Sequence, residues 1–368
     1  MTSLVAKGLA LDGHNCLGMM VIGEDRKITY EGRNVDDVYA FLKGKDVDIV
    51  INQLAMDVWL LETFLSNGGQ RWHDEGGKII SCLHFDSKQT STLYYFKSKR
   101  DKSFKDYLWI AKAWLLYRYY DRLQAEKAGE AYRWIYENSD WYVTLSESHN
   151  PYLKKVIGLS DYKKLVVINN PLTFDDISSP EILDSKKKVV LICARMNEYQ
   201  KRILLALKAW KRLRRHKYSE GWVLKIVGTG PDLDYYKRYV EVHHIDNVFF
   251  EGRRNPEPYY EEASIFLMTS GNEGWGLTLT ESLQRGVVPV VMNTSNVFGD
   301  IIQHAYNGYL TEGSSLKDFV RHIKILMCDE ERLRTMQVNA LDSSRRFSLD
   351  KTMTKWRCII PPAESYKK

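Results

Sequence analysis

The sequence predicts an α/β protein of two domains, each a parallel sheet covered on both faces by helices. Three observations carry that expectation. The chain has 368 residues, and at roughly 100–200 residues per domain that length favours two. Short apolar runs rich in β-branched residues alternate with amphipathic segments, the pattern of strands buried on both faces between covering helices. A polar, aperiodic stretch, DDISSPEILDSKKK, follows Asn169-Asn170-Pro171-Leu172 and reads as a linker between two such series.

In the first series, strands are expected near Val47–Ile51, Lys78–Leu83, Trp141–Leu145 and Leu165–Ile168. In the second they are expected near Val189–Ala194, Val223–Val227, Val248–Phe250, Ile265–Met268 and Val287–Met292. Between these five lie helical segments near Lys201–Arg214, Asp232–His243, Pro256–Glu262 and Leu277–Gln284. The period is clearest in the first of them, where Ile203, Leu207, Trp210 and Leu213 share one face. The domains are therefore expected over residues 1–170 and 171–345. Leu349, Met353 and Trp356, then Ile359 or Ile360, are spaced for a last helix. Residues 346–368 are expected to cross back on it to the first domain.

Composition narrows the function. With 44% hydrophobic and 27% charged residues the chain is an ordinary globular protein, not a disordered chain, a collagen or a coiled coil. Its apolar runs, such as Val189–Ala194, are far shorter than the ~20 residues of a membrane span. The opening MTSLVAKGLALDGHN has no basic start and apolar core of a secretory signal. Cys16, Cys82, Cys193, Cys328 and Cys358 are odd in number and widely spread, which points away from a zinc site or disulfide framework and towards a cytoplasmic location. Lys and Arg number 53 against 47 Asp and Glu, an excess too small and too mixed to indicate nucleic acid as a partner. One stretch stands out. Lys97–Arg133 holds ten basic and five acidic residues among Tyr107, Trp109, Trp114, Tyr117, Tyr119, Tyr120 and Tyr132. That composition suits an anionic membrane surface, and equally a long helix whose aromatic face packs on a sheet.

The densest chemical signal is Ser270-Gly-Asn-Glu273-Gly274-Trp-Gly276-Leu-Thr-Leu-Thr-Glu281-Ser, which follows an expected strand and opens an expected helix. A glycine-rich turn entering a helix presents backbone N–H groups and the positive end of the dipole, a site for phosphate. Glu273 and Glu281 flank it as acceptors for sugar hydroxyls. A glycine turn with a solvated Glu and a Glu in the first turns of a helix would look the same. Competing motifs fail. Gly228-Thr-Gly230 lacks the third glycine of a dinucleotide fingerprint, and neither a GxxxxGKS/T nor a GxSxG is present. Asp232-Leu-Asp234 matches a metal-binding DxD, but stands where a helix starts and Asp is favoured by the dipole. It is taken as structural, and no essential metal or other cofactor is expected. His73, His243 and His244 have no partner spacing and read as surface residues.

The stretch from Glu273 to Glu281 resembles the Glu-x7-Glu element of retaining nucleotide-sugar glycosyltransferases, specifically glycosyltransferase family 4. Other segments are similar in the same order: Val189–Arg195 followed by Lys201-Arg202, Leu224–Pro231, Val248–Arg253 through Tyr259-Tyr260, Gly286–Val291 and Asn307–Leu310, with Thr144–Glu147 and Val167–Pro171 before them. The resemblance implies the GT-B fold, two Rossmann-like domains facing a cleft. It implies transfer of a sugar from a nucleotide-diphosphate donor to a glycan or lipid-linked acceptor. Polysaccharide, lipopolysaccharide or capsule synthesis on the cytoplasmic face of a membrane is the expected setting. Arg195 and Lys201 would neutralise the leaving diphosphate, while Arg202 belongs to a solvated basic helix face. Glu281 would hold the ribose and Glu273 the transferred sugar. Gly274, Gly276, Leu277 and Thr278 would form the phosphate turn, and Gly228, Gly230 and Arg253 the nucleotide side. His84, after the strand ending at Leu83, matches a family histidine near the donor sugar or acceptor.

The chain departs from the family at its start. The family opens with a strand and a glycine-rich loop, whereas Ser3–His14 reads as the later part of the first helix. The strand and loop are expected to be missing. That keeps a catalytically impaired sugar-nucleotide-binding protein as an alternative, with a sugar-nucleotide epimerase behind it.

Overall fold

The computed structural model describes residues 2–23, 25–88 and 104–363. The chain divides into two units, the first drawn from residues 1–91, 113–171 and 349–368, the second from 92–112 and 172–348.

The first unit starts with the helix Thr2–Leu11 and an antiparallel meander of β1 (Met19–Ile22), β2 (Lys27–Tyr30) and β3 (Arg33–Asn34). The sequence reading did not include this meander. Then β4 (Ile49–Asn52), β5 (Lys78–Leu83), β6 (Trp141–Thr144) and β7 (Leu165–Val167) form a parallel sheet in chain order. Successive side chains of a strand point to opposite faces, and β5 shows why its run is apolar on both faces. Ile79 and Leu83 join a core with Leu42, Leu61, Tyr132 and Ile135. Ile80 and Cys82 join another with Val5 and Leu9 of the first helix and Met353 and Trp356 of the last helix, Leu349–Trp356. Burying each such aliphatic side chain contributes about 1.5–3 kcal/mol.

The second unit holds β8 (Val189–Cys193), β9 (Val223–Val227), β10 (Val248–Gly252), β11 (Ile265–Met268), β12 (Val288–Val291) and β13 (Tyr309–Leu310). All six are parallel, in the order β10-β9-β8-β11-β12-β13. The order reverses at β8, so β8 and β11 are neighbours whose following connections depart in opposite directions. In such sheets ligands bind outside the carboxyl ends of the strands at that reversal. Those ends are Arg195 and the turn from Thr269 to Gly276.

Three local expectations are corrected. The helix expected from Lys201 is two helices, Glu198–Lys201 and Ile203–Leu213, broken at Arg202 with φ 49°. The polar stretch expected as a linker is packed into the second unit: Leu183 is buried, and Gln284 Nε2 donates to the carbonyls of Phe174 and Asp176 at 2.8 and 2.6 Å. Its backbone carbonyls accept from two fully buried polar side chains, Gln284 and Arg285, the second through Nη1 to the Asp176 carbonyl at 2.7 Å. His73 is not a plain surface residue, since its Nε2 lies 3.0 Å from Asp140 Oδ2.

The basic aromatic stretch is carried by the helices Phe104–Leu115 and Tyr117–Glu137. Residues 97–103 and the side chains of Trp114 and Tyr117 lie outside the described residues. Tyr132 is core, its hydroxyl donating to the Ser87 carbonyl, whereas Tyr107, Leu108, Trp109, Leu115, Leu116 and Tyr119 are exposed. Among the described residues no helix is long and apolar enough to cross a membrane.

Candidate active site

A cavity of about 470 Å³ opens at the carboxyl ends of β8, β9 and β10. Its lining includes Cys193, Arg195, Gly228, Gly230, Arg253, Arg254, Thr278 and Glu281. Six of the residues singled out from the sequence thus meet in one space. Two glycines set its shape. A Cβ on Gly228 would lie 2.0 Å from the Ala194 carbonyl oxygen, and one on Gly230 2.4 Å from that of Met196. The β9 turn can therefore lie directly on the β8 turn, where Met196 N–H donates to the Thr229 carbonyl at 2.9 Å.

Glu281 is the buried acid of this cavity, only 7% exposed. It projects from the helix Leu277–Gln284, and Tyr260 Oη donates to its Oε2 at 3.0 Å. Burial raises its pKa above the ordinary carboxylate value, against the Tyr260 hydrogen bond. Burial also raises the Cys193 thiol, which keeps that wall of the cavity neutral. The cations are placed differently: Arg195, Arg253 and Arg254 are exposed. One space thus combines a buried carboxylate with three guanidinium groups, an arrangement suited to a molecule with hydroxyls at one end and phosphates at the other. Thr278 stands in the first turn of the same helix, whose N-cap, Gly276, contributes no side-chain hydrogen bond to the first-turn amides.

The remaining residues singled out around Glu273 form a strap beside the cavity. Lys201 ends the short helix Glu198–Lys201, and its Nζ lies 2.5 Å from Glu273 Oε1, with side chains 18% and 11% exposed. Gly274, Gly276 and Leu277 continue from Glu273 into the helix Leu277–Gln284 and are not part of the cavity lining. Arg202 is corrected from a solvated helix face: it is half-buried, with Nε and Nη2 donating to the carbonyls of Thr269 and Ser270. Asp232 accepts from Glu198 N–H at 2.7 Å and so caps that short helix.

His84 belongs to the first unit, directly after β5. Its Nε2 lies 2.5 Å from Gln53 Oε1, and burial lowers its pKa, so it is neutral at pH 7. Tyr260, Arg254 and Arg202 are the residues in or beside the second unit's cavity that sequence reasoning did not assign. The tandem Arg253-Arg254 was a usable signal for the second. The others depend on contacts between distant segments.

The six-stranded order reversing at β8, together with a second parallel-sheet unit, is the fold of GT-B glycosyltransferases. The chain superposes on S. aureus TarM, solved with UDP and alpha-GlcNAc-glycerol, at a TM-score of 0.65. That superposition covers 93% of this chain and 64% of TarM at 15% identity. Residues 173–342, within the second unit, match the model of the glycosyl transferases group 1 family. An uncharacterized glycosyltransferase of Haemophilus influenzae is 28% identical over 225 residues, 60% of this chain and 61% of that protein. The poly(glycerol-phosphate) alpha-glucosyltransferase of Bacillus subtilis is 26% identical over 190 residues, 50% of this chain and 28% of that protein. The chain thus spans less than two thirds of the length of each.

Proposed function

We propose that the protein is a retaining glycosyltransferase of family 4 type. It takes a sugar from a nucleotide-diphosphate donor, with UDP the first nucleotide to test, to a hydroxyl of a glycan or lipid-linked acceptor in surface polysaccharide synthesis. The observation that carries this reading is the cavity at the β8 reversal, where Glu281 is buried and Arg195, Arg253 and Arg254 surround it. Glu281 accepts the ribose hydroxyls. Arg195 and Lys201 receive the charge that grows on the diphosphate as the bond to the sugar breaks, without an essential metal ion. Glu273 receives hydroxyls of the sugar. As the bond from the anomeric carbon to the diphosphate oxygen breaks, the acceptor oxygen bonds to that carbon and its proton passes to the departing nucleoside diphosphate, which keeps the electron pair of the broken bond. UDP is among the ligands of the TarM complex, which supports it as the first nucleotide to test.

The test is incubation with labelled UDP, GDP, ADP and CDP sugars, with and without glycan acceptors. Transfer, or slow hydrolysis of one donor, is the expected result. Binding of every donor without turnover would reduce the protein to a sugar-nucleotide binder, and formation of an epimer would replace the transferase reading.

A further inference from the structure

Arg202 stands at the joint between Glu198–Lys201 and Ile203–Leu213 with φ 49° and ψ 41°. That left-handed conformation is open to glycine and disfavoured for a residue with a Cβ. A glycine would make the same turn without strain, so the turn does not explain an arginine. The guanidinium contacts do. Nε donates to the Thr269 carbonyl at 2.7 Å, Nη2 to the Ser270 carbonyl at 2.9 Å and Nη1 to Ser314 Oγ at 3.1 Å.

The two carbonyls open the strap that carries Glu273, and the strap is tied back to the same joint. Thr269 Oγ1 donates to the Lys201 carbonyl at 2.8 Å, and Gly271 N–H to the Gln200 carbonyl at 2.7 Å. Thr294 Oγ1 adds a bond to the Ser270 carbonyl at 2.6 Å. Residues 200–202 and 269–271 are therefore laced together from both sides, directly under the Lys201–Glu273 ion pair. Backbone strain that persists because its side chain over-determines a nearby site marks a functional constraint.

We propose that Arg202 is a positioning residue of the donor site: its fork fixes the strap over residues 269–273 against the Lys201 joint, so that Lys201 and Glu273 keep their places when the nucleotide enters. The kinetic part rests on the transferase reading; the geometric part does not. A planar guanidinium spans two adjacent carbonyls, which an ammonium cannot do with one fixed geometry.

The decisive variant is Arg202→Gly, which removes the fork and relieves the backbone together, with Arg202→Lys as the charge-retaining control. For Arg202→Gly the thermal midpoint is expected to hold or rise. Amide exchange over residues 269–275 is expected to accelerate by about tenfold or more, and kcat to fall roughly 10- to 100-fold with donor KM little changed, the scale of a misplaced catalytic group. Arg202→Lys is expected to keep the kcat defect. Parental exchange over 269–275, a parental kcat, or full rescue by lysine would overturn the proposal. So would a lowered midpoint with faster exchange throughout, which would make Arg202 a general stabiliser. If the parent protein turns over no nucleotide sugar, the transferase reading fails, and the exchange comparison still decides the role of Arg202.

Discussion

Replacing Glu281 by Gln separates the cost of the site from its use. Its carboxylate is buried, and Tyr260 uses one of the roughly four acceptor positions a carboxylate offers. Glu281 lines the cavity, where a ligand's hydroxyls would meet the capacity that Tyr260 and the neighbouring Thr173 leave. A hydrogen bond to a charged group is worth ~1.5–3 kcal/mol, so losing the one to ribose should weaken nucleoside diphosphate binding roughly 10- to 150-fold. At a UDP concentration about 100-fold above the parental Kd, the parent gains ~2.7 kcal/mol of stability and the variant ~0.3–1.4 kcal/mol. Without nucleotide the sign reverses. Burial raises the pKa of Glu281 above its ordinary 4.5, so the folded state binds its proton more tightly than the unfolded chain does. Stability contributed at this position is then lost as pH rises from the unfolded value through the folded one. Glu281→Gln should therefore melt higher than the parent at pH 8, and the gain should vanish near pH 4. Melting curves with and without UDP at several pH values, with calorimetric titration, measure both effects. Unchanged UDP affinity would refute the ribose role, and a lower melting point at pH 8 would refute the burial argument.

Lys201→Ala and Glu273→Ala should each lower turnover ~10²–10³-fold while changing nucleotide affinity less. Because the two side chains pair directly, the double variant should lose less than the product of the single losses, as steady-state kinetics on all four proteins will show. Excess EDTA should leave turnover unchanged, because arginine and lysine supply the positive charge; abolition restored by a divalent ion would overturn that assignment. The exposed Tyr107, Leu108, Trp109 and Tyr119, with Lys105 and Lys112 on the same helical stretch, should give reversible flotation with anionic liposomes, at ~1 kcal/mol per basic residue reaching the surface. Recovery should fall at 1 M salt, where the Debye length is about 3 Å. Equal recovery on neutral and anionic vesicles, or none on either, would leave the segment as structure.

The strands that a sequence reader places to the residue are those buried on both faces. β5, β9 and β11 coincide with their expected runs because most positions are buried: five of six in β5, three of five in β9 and all four in β11. The meander escapes because β1 is only partly buried, with two of its four residues exposed, and β3 has two residues. The polar stretch after Leu172 escapes for the opposite reason: it is held through its backbone carbonyls by Gln284 and Arg285, which composition does not register. Of the candidate site, Arg195, Arg253, Thr278 and Glu281 stand out in the sequence because chemistry and local pattern coincide there, and all four line one cavity. Arg202 does not, since a basic pair at a helix start looks like solvated surface. What distinguishes it is a contact to residues 67 and 68 positions away.

In the proposed reaction the Lys201–Glu273 pair would link the two halves of a donor molecule. It is mostly shielded from water, and such a pair adds little net stability, because desolvation offsets the attraction. The strap is already held by Arg202, Thr269 and Gly271, so its fold does not depend on the pair. Its consequence lies in what each partner does when the other is taken. In the proposed reaction an arriving diphosphate brings more than one negative charge to Lys201 and competes directly with the single charge of Glu273. Once Lys201 turns to the phosphates, the Glu273 carboxylate is left partly desolvated and short of a donor, the condition in which it accepts sugar hydroxyls most strongly. A free sugar meets Glu273 still engaged by lysine. On that proposal a sugar attached to a diphosphate would release the carboxylate by its own arrival, and the site would select for the two groups joined in one molecule.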